Sequence, residues 1–364
     1  MIRLIRAWVD TAALRHNLGT IRAYAPGAKV MAVIKANAYG HGLVSTALAL
    51  ADADSFAVAR LEEGMALRAA GVRAPIVLLE GVFSSEQLVE AAHHGFELVV
   101  HDPLQLKLLE AHLGAKRFVV WVKIDTGMNR LGFRPEAFPG ALARLRALTV
   151  PLLEVRVMTH LARADERAVE MTPEQVGRFE AALANSGLAG AQRIPTSIAN
   201  SAGALGWPRA HGDWVRPGLA LYGVSPFGGE SADKFGLRPV MTLETTVLTV
   251  RDVKRGETVG YAGAWRAERD CSIAILAAGY GDGLPRHLGN GAPVLIGGAR
   301  YPLVGRVSMD MIAVDVTGAP KVATGSKAIV WGEGLPVEEV ATQADTIPYE
   351  LLCGVSQRVP LELK

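Results

Sequence analysis

The chain repeats one short theme eight times before its texture changes. Apolar runs rich in β-branched residues alternate with Ala/Leu-rich stretches. The runs are VMAVI (30–34), FAVA (56–59), IVLL (76–79), ELVV (97–100), FVVWVKI (118–124), EVRVMT (154–159), RIPTSI (193–198) and the region of WVRPGLALYG (214–223). Runs apolar on both faces, each followed by a helical pattern, mark parallel strands covered by helices. Eight such units predict an α/β fold, a closed (β/α)8 TIM-type barrel. An open doubly wound sheet is the alternative, but no G-x-G-x-x-G follows an early strand. Upstream, Asp10 is placed to cap a helix with Leu14, Leu18 and Ile21 on one face. After about Phe235 the long helical patterns give way to TLETTVLTVRDV, SIAILAAG, APVLIGG, YPLVGRVSMDMIAVDV and KAIVWG, punctuated by RG, GNG and GG turns. The expected organisation is a barrel over residues 1–235 and a C-terminal mostly-β domain over 236–364.

Composition removes several classes of function. With 364 residues, half of them hydrophobic, and a net charge of +2, the chain can bury a large core and shows no charge bias toward nucleic acid or an anionic membrane. Arg3 and Arg6 interrupt any apolar signal segment, so the expected location is the cytoplasm. Cys271 and Cys353 form neither a C-x-x-C pair nor a disulfide framework, and both are expected to be buried thiols. The nine histidines lack ligand spacing such as H-E-x-x-H, so no metal is expected.

In a barrel of this kind the active site lies at the C-terminal ends of the strands. Lys35 is read as ending the first strand. Asp125, Thr126 and Arg130 follow the fifth, His160 ends the sixth, Asn200 and Ser201 follow the seventh, and Arg216 opens the last. Taken singly, each has an ordinary reading: a solvated arginine, a turn serine, a hydrogen-bonded histidine. Together they converge on one mouth. A lysine there can serve as a point charge for phosphate or as an amine that forms a Schiff base. Asn200–Ser201 and Gly218–Leu219 offer hydroxyl and backbone N–H donors that hold a phosphate without lysine. A phosphate cradle, a reactive lysine and an arginine placed for a ring nitrogen together describe a site for pyridoxal 5'-phosphate.

The segments AVIKANAYGHG, KIDTGMNRLGF, THLARAD, IANSAG, VRPGLALYG, VGYAGAW, AAGYGDG and GRVSMDM follow one another in this order. The series resembles that of bacterial alanine racemases and spans essentially the whole chain. The resemblance implies a cytoplasmic homodimer with active sites shared between subunits. It also implies that the first ten or so residues pair with the C-terminal domain. Lys35 would hold the cofactor and act as one catalytic base, and Tyr261 would be the other. Tyr39, Asn200, Ser201, Gly218, Leu219 and Tyr349 would bind the cofactor's phosphate end, Arg216 would face its ring nitrogen and His160 would lie beside the ring. Arg130 would contact the substrate carboxylate, aided by Lys123 at a position often carbamylated in the family. Tyr280, Met309 and Asp310 would line the substrate site from the partner subunit. Ser197 and Ser308 depart from the family pattern, standing where many members have histidine and cysteine. The implied reaction interconverts L- and D-alanine, either to supply peptidoglycan or to break D-alanine down. Racemisation of another small amino acid such as serine is one alternative. A pyridoxal-phosphate decarboxylase on the same barrel is another, but neither cysteine lies in that family's catalytic motif.

Overall fold

The structure, a computed structural model, describes residues 4–112, 114, 116–148, 152–186 and 193–364. Eight parallel strands close into a barrel: β2 (Lys29–Val33), β3 (Ser55–Val58), β4 (Ile76–Leu78), β5 (Glu97–Val100), β6 (Phe118–Lys123), β7 (Leu152–Met158), β8 (Thr196–Ser197) and β9 (Trp214–Val215). β9 returns to β2 through the pairs Lys29↔Trp214 and Val30↔Val215. β6 is buried along its whole length, as a strand covered on both faces must be. Asp10 caps the helix Thr11–Tyr24 by accepting from the Ala12 and Ala13 N–H groups, and Leu14, Leu18 and Ile21 point into the core.

Charged residues plug the barrel's lower end. Glu97 accepts a hydrogen bond from Trp121 Nε1 (2.7 Å) and pairs with Arg156 (3.1 Å). The Arg156 guanidinium lies 5.1 Å and 5.2 Å from the Trp121 and Trp214 rings. Cation–π contacts and the ion pair compensate the buried charges there, leaving the other end of the barrel as the mouth.

The last two barrel strands are much shorter than the apolar runs that announce them. The run 193–198 yields only Thr196–Ser197, and 214–223 yields only Trp214–Val215 before a 3-10 turn at Leu219–Tyr222. Pro195 and Pro217 lack the N–H a ladder needs. Arg216 therefore follows its strand instead of opening it. Lys35 likewise lies beyond β2, as the first residue of a short helical turn. Cys353 is exposed, contrary to expectation, because it sits at the end of the short helix Pro348–Gly354; Cys271 is buried.

A second, β-rich sheet has its own core around Trp331, Leu243, Val314 and Leu276. Its central member is β10 (Met241–Val253), which pairs antiparallel with β1 (Ile5–Val9) through its first half and with Cys271–Leu276 through its second. β1 also pairs in parallel with Leu361–Leu363. Residues 1–3 of the expected N-terminal segment lie outside the described residues. Among the described residues no helix is long and apolar enough to cross a membrane.

Candidate active site

Lys35 is presented by an unusual turn. Ala36, Asn37, Ala38 and Tyr39 have φ of 53°, 54°, 54° and 52°, so four consecutive residues with side chains are left-handed. Each such residue costs roughly 1–2 kcal/mol relative to its right-handed form, and strain of this kind persists only where surroundings over-determine it. Here they do. The Ala36 N–H donates to Glu63 Oε1 (2.6 Å), whose other oxygen accepts from Ala59 (2.9 Å). Asn37 Oδ1 accepts from the Leu43 N–H (2.9 Å). The Tyr39 ring stacks on Tyr222 at 4.8 Å and lies 5.7 Å from Tyr349. At Gly40 a Cβ would stand 2.2 Å from the Leu352 carbonyl oxygen, so only glycine can end the turn.

Opposite Lys35 the chain forms a cradle of donors. Ser201 Oγ accepts from the backbone N–H of Gly218 (2.9 Å) and Ala220 (3.2 Å). Asn200 caps the helix Ser201–Gly206 by accepting from Gly203 N–H (2.9 Å). Asn200 thus shapes the cradle, and Ser201 lines it. A Cβ on Gly218 would lie 2.3 Å from Tyr39 Oη, which puts that hydroxyl directly over the 218–220 turn. Burial raises the Tyr39 hydroxyl's pKa and moves that of Tyr349 up to about 12, so both remain hydrogen-bond donors.

The rest of the mouth is cationic. Arg216 is buried and donates to Ser197 Oγ (2.5 Å), the Thr159 carbonyl (2.5 Å) and the Ile198 carbonyl (3.2 Å), with His160 Nδ1 at 3.4 Å. Ser197 Oγ in turn donates to the Trp214 carbonyl (2.7 Å). A serine thus fixes the guanidinium where the family pattern often has an imidazole. All four acceptors around Arg216 are neutral, and burial moves its pKa down to about 10. His160 is held well below the usual imidazole range, first by burial and then by Arg216, Lys123, Arg130 and Lys35, so its ring is neutral. Burial, with the same arginines and Lys35, lowers Lys123 to about 8 against the opposing pull of Asp125. A pocket with this much compact positive charge is built for an anionic occupant.

The Arg130 loop is closed by its own backbone. Asp125 Oδ1 accepts from Gly127 and Asn129 (3.0 Å each), Asp125 N–H donates to the Phe133 carbonyl (2.8 Å), and Arg134 donates to Asn129 Oδ1 (2.7 Å). Sequence reasoning missed three supports. Gln175 donates to Thr126 Oγ1 (3.2 Å) and to the His160 carbonyl (3.0 Å), and the Thr126 and Thr159 hydroxyls share a hydrogen bond of 2.8 Å. Thr159 lies inside a quoted motif and was open to view. Glu63 and Gln175 sit on helices with no local signal.

Tyr261, Tyr280, Met309 and Asp310 take no part in the interactions that knit this mouth together. They lie in turns and loops of the β-rich C-terminal part, Tyr261 between the two short strands Thr258–Val259 and Trp265–Arg266, and Tyr261 is 67% exposed. Among the described residues no hydrogen bond reaches its hydroxyl.

The alanine racemase N-terminal domain model matches residues 9–226, and the alanine racemase C-terminal domain model matches 240–363. The chain belongs to the alanine racemase family. A curated alanine racemase of Nitrosococcus oceani is 50% identical over 355 residues, covering 98% of each chain. One of Aeromonas hydrophila is 48% identical over 356 residues, again covering 98% of each. Among solved structures, the biosynthetic alanine racemase of Pseudomonas aeruginosa superposes with a TM-score of 0.95 at 42% identity, covering 100% of both chains. Alanine racemases are isomerases, and the barrel with its appended β-rich sheet is the architecture shared with these solved relatives.

Proposed function

We propose that this chain interconverts L- and D-alanine as a homodimer, using pyridoxal 5'-phosphate held at the barrel mouth. The observation that carries the reading is the meeting of three features around Lys35. They are the Ser201–Gly218 donor cradle under the Tyr39 hydroxyl, the buried Arg216 with no acidic partner among the described residues, and the neutral His160 beside it. This donor set fits the cofactor: an N–H and hydroxyl nest for a phosphate and a fixed guanidinium for a ring nitrogen. When bound, pyridoxal phosphate supplies an electron sink for the carbanion left at the substrate Cα.

The chain's residues then divide the labour. Arg130 binds the substrate carboxylate. The Lys35 amine takes or returns the Cα proton on one face, and Tyr261 of a second copy does so on the other, because inversion at a planar carbon needs a group on each side. Arg216 donates a hydrogen bond but no proton, since guanidinium stays protonated in proteins. Tyr280, Met309 and Asp310 complete the substrate pocket from the second copy. In this reading the catalytic barrel spans 1–235, apart from β1, which joins the second sheet, and the unit supplying the second base spans 236–364. The reaction serves either supply of D-alanine for peptidoglycan or breakdown of D-alanine.

Borohydride treatment of the yellow holoenzyme followed by peptide mass analysis should place the reduced cofactor on Lys35. Incubation of untreated holoenzyme with L-alanine in D2O should give loss of optical rotation together with Cα deuteration. Labelling of a different lysine, or exchange without inversion, overturns the proposal.

Lys123 should carry a carbamate beside Arg130. Its neutral fraction grows as pH rises through about 8, and the free amine adds CO2, releasing one proton and gaining a carboxylate. In ¹³C-bicarbonate at pH 8.5 a carbamate resonance should appear and vanish in Lys123→Ala. Its absence from the parent protein would reject the assignment.

A further inference from the structure

Two loops of the β-rich sheet lie against each other backbone to backbone, and a single arginine from the C-terminal tail bridges them. The first loop, 279–283, carries Tyr280. The second, 308–311, carries Met309 and Asp310. Tyr280 N–H donates to the Ser308 carbonyl (3.0 Å), and Gly281 N–H donates to the Met309 carbonyl (2.8 Å). A Cβ on Gly279 would stand 2.3 Å from Met309 O, so only a bare backbone permits this approach.

Asp282 organises the first loop from within. It is buried, and its Oδ2 accepts from the Gly279 N–H (2.8 Å). Arg358 Nε lies 2.8 Å from Asp282 Oδ1, as a close charge contact and not an aligned hydrogen bond. Its Nη2 donates to Asp310 Oδ1 at 2.5 Å. A Cβ on Gly281 would come 2.8 Å from Arg358 Nη1, so the guanidinium lies close against the first loop while reaching the second. The same tail is fixed to the first loop by its backbone, because Ser356 N–H donates to the Asp282 carbonyl (3.0 Å). Asp310 and Arg358 are both about half exposed, and such pairs add little to overall stability. What the bridge sets is the position of Tyr280 and Met309 relative to each other.

We infer that Arg358 is a positioning residue for alanine binding: by tying Asp282 to Asp310 it fixes the Tyr280–Met309 loop pair that completes the substrate pocket of the partner subunit. The inference rests on the shared-site reading given above. Arg358 touches neither substrate nor reacting atoms, so its loss acts through the loops and reads out in binding. A guanidinium spans two carboxylates, whereas a lysine ammonium reaches one.

The test uses holoenzyme carrying Arg358→Ala or Arg358→Lys. Arg358→Ala should raise KM for both alanine enantiomers by about fivefold to tenfold with kcat changed by less than about twofold, the signature of lost ground-state binding. Arg358→Lys should recover part of the difference. Hybrid dimers then locate the effect. Chains bearing Lys35→Ala and Arg358→Ala, co-expressed with different tags and purified through both, assemble one site with an intact Lys35 and intact loops. That hybrid should show the parent KM. A KM unchanged in Arg358→Ala, or one still raised in the hybrid, overturns the inference. Failure of the shared-site reading is seen separately: a Lys35→Ala with Tyr261→Phe hybrid that stays inactive removes both.

Discussion

Lys35→Ala protein should lose alanine racemisation by more than about a thousandfold, the loss expected when a covalent and proton-transferring amine is removed, while the thermal midpoint of its cofactor-free form stays level or rises relative to the cofactor-free parent. The second half of this expectation comes from the charge map. Lys35 is one of the cations that push down the proton affinity of His160 and Lys123, and Arg216 and Arg130 act in the same direction. Removing one positive charge from that cluster relieves repulsion and breaks no hydrogen bond of the strained turn, whose supports run through Ala36, Asn37 and Tyr39. A folded, inactive protein that no longer yields a borohydride adduct is the expected result. Turnover and melting temperature measured together check it. Retained turnover would transfer the chemistry to another amine, and a large drop in melting temperature would make Lys35 a structural residue.

Tyr261→Phe should separate the two faces of the substrate. The variant keeps its cofactor, because nothing in the cradle touches Tyr261, and loses racemisation by about a hundredfold to ten-thousandfold, the range for one acid–base group. In D2O one alanine enantiomer should still exchange its Cα hydrogen through Lys35, and the other should not. Equal exchange of both would count against a base on each face. The single chain leaves this tyrosine facing solvent, and in the shared-site reading proposed above its reaction partner comes from another copy. Co-expressed Lys35→Ala and Tyr261→Phe chains should therefore regain about half the parent activity in the hybrid dimer, since one of its two sites is whole.

The barrel was legible because most of its strands are buried on both faces, which writes itself as a continuous apolar run. That same rule overran at the seventh and eighth strands. There the apolar residues at Ile198 and Leu219–Tyr222 bury themselves around turns that shape the cradle, and prolines end the ladder early. The left-handed turn after Lys35 left little trace, because only Asn37 and the closing Gly40 in KANAYG favour that conformation. Its conformation is imposed by Glu63 and Tyr222, neither of which is near it in sequence. Lys35, Ser201 and Arg216 were legible as a site because strand ends of a barrel converge, whatever lies between them in the chain. Gln175 was not, since a helical glutamine that reaches over to a strand-end carbonyl resembles any surface glutamine. Ser197 departs from the family pattern, and the geometry shows why it is tolerated: its hydroxyl accepts a hydrogen bond from Arg216 and donates one to Trp214 O.

The pairing of β1 with β10 has a consequence for how the chain is made. Val9 lies opposite Met241, so the strand IRAWV emerges from the ribosome more than two hundred residues before its antiparallel partner. At synthesis rates of about 5–20 residues per second, Ala7, fully buried in the core of the β-rich sheet in the finished molecule, waits on the order of ten seconds or longer for its strand partner. The barrel strands meet their partners in order during that interval, but this strand cannot. Arg6 and Asp10 flank its apolar positions, and charges so placed keep an unpaired edge from joining another nascent chain. The N-terminal strand is thus exposed to mispairing during synthesis, although Ala7 and Val9 are fully buried in the finished molecule.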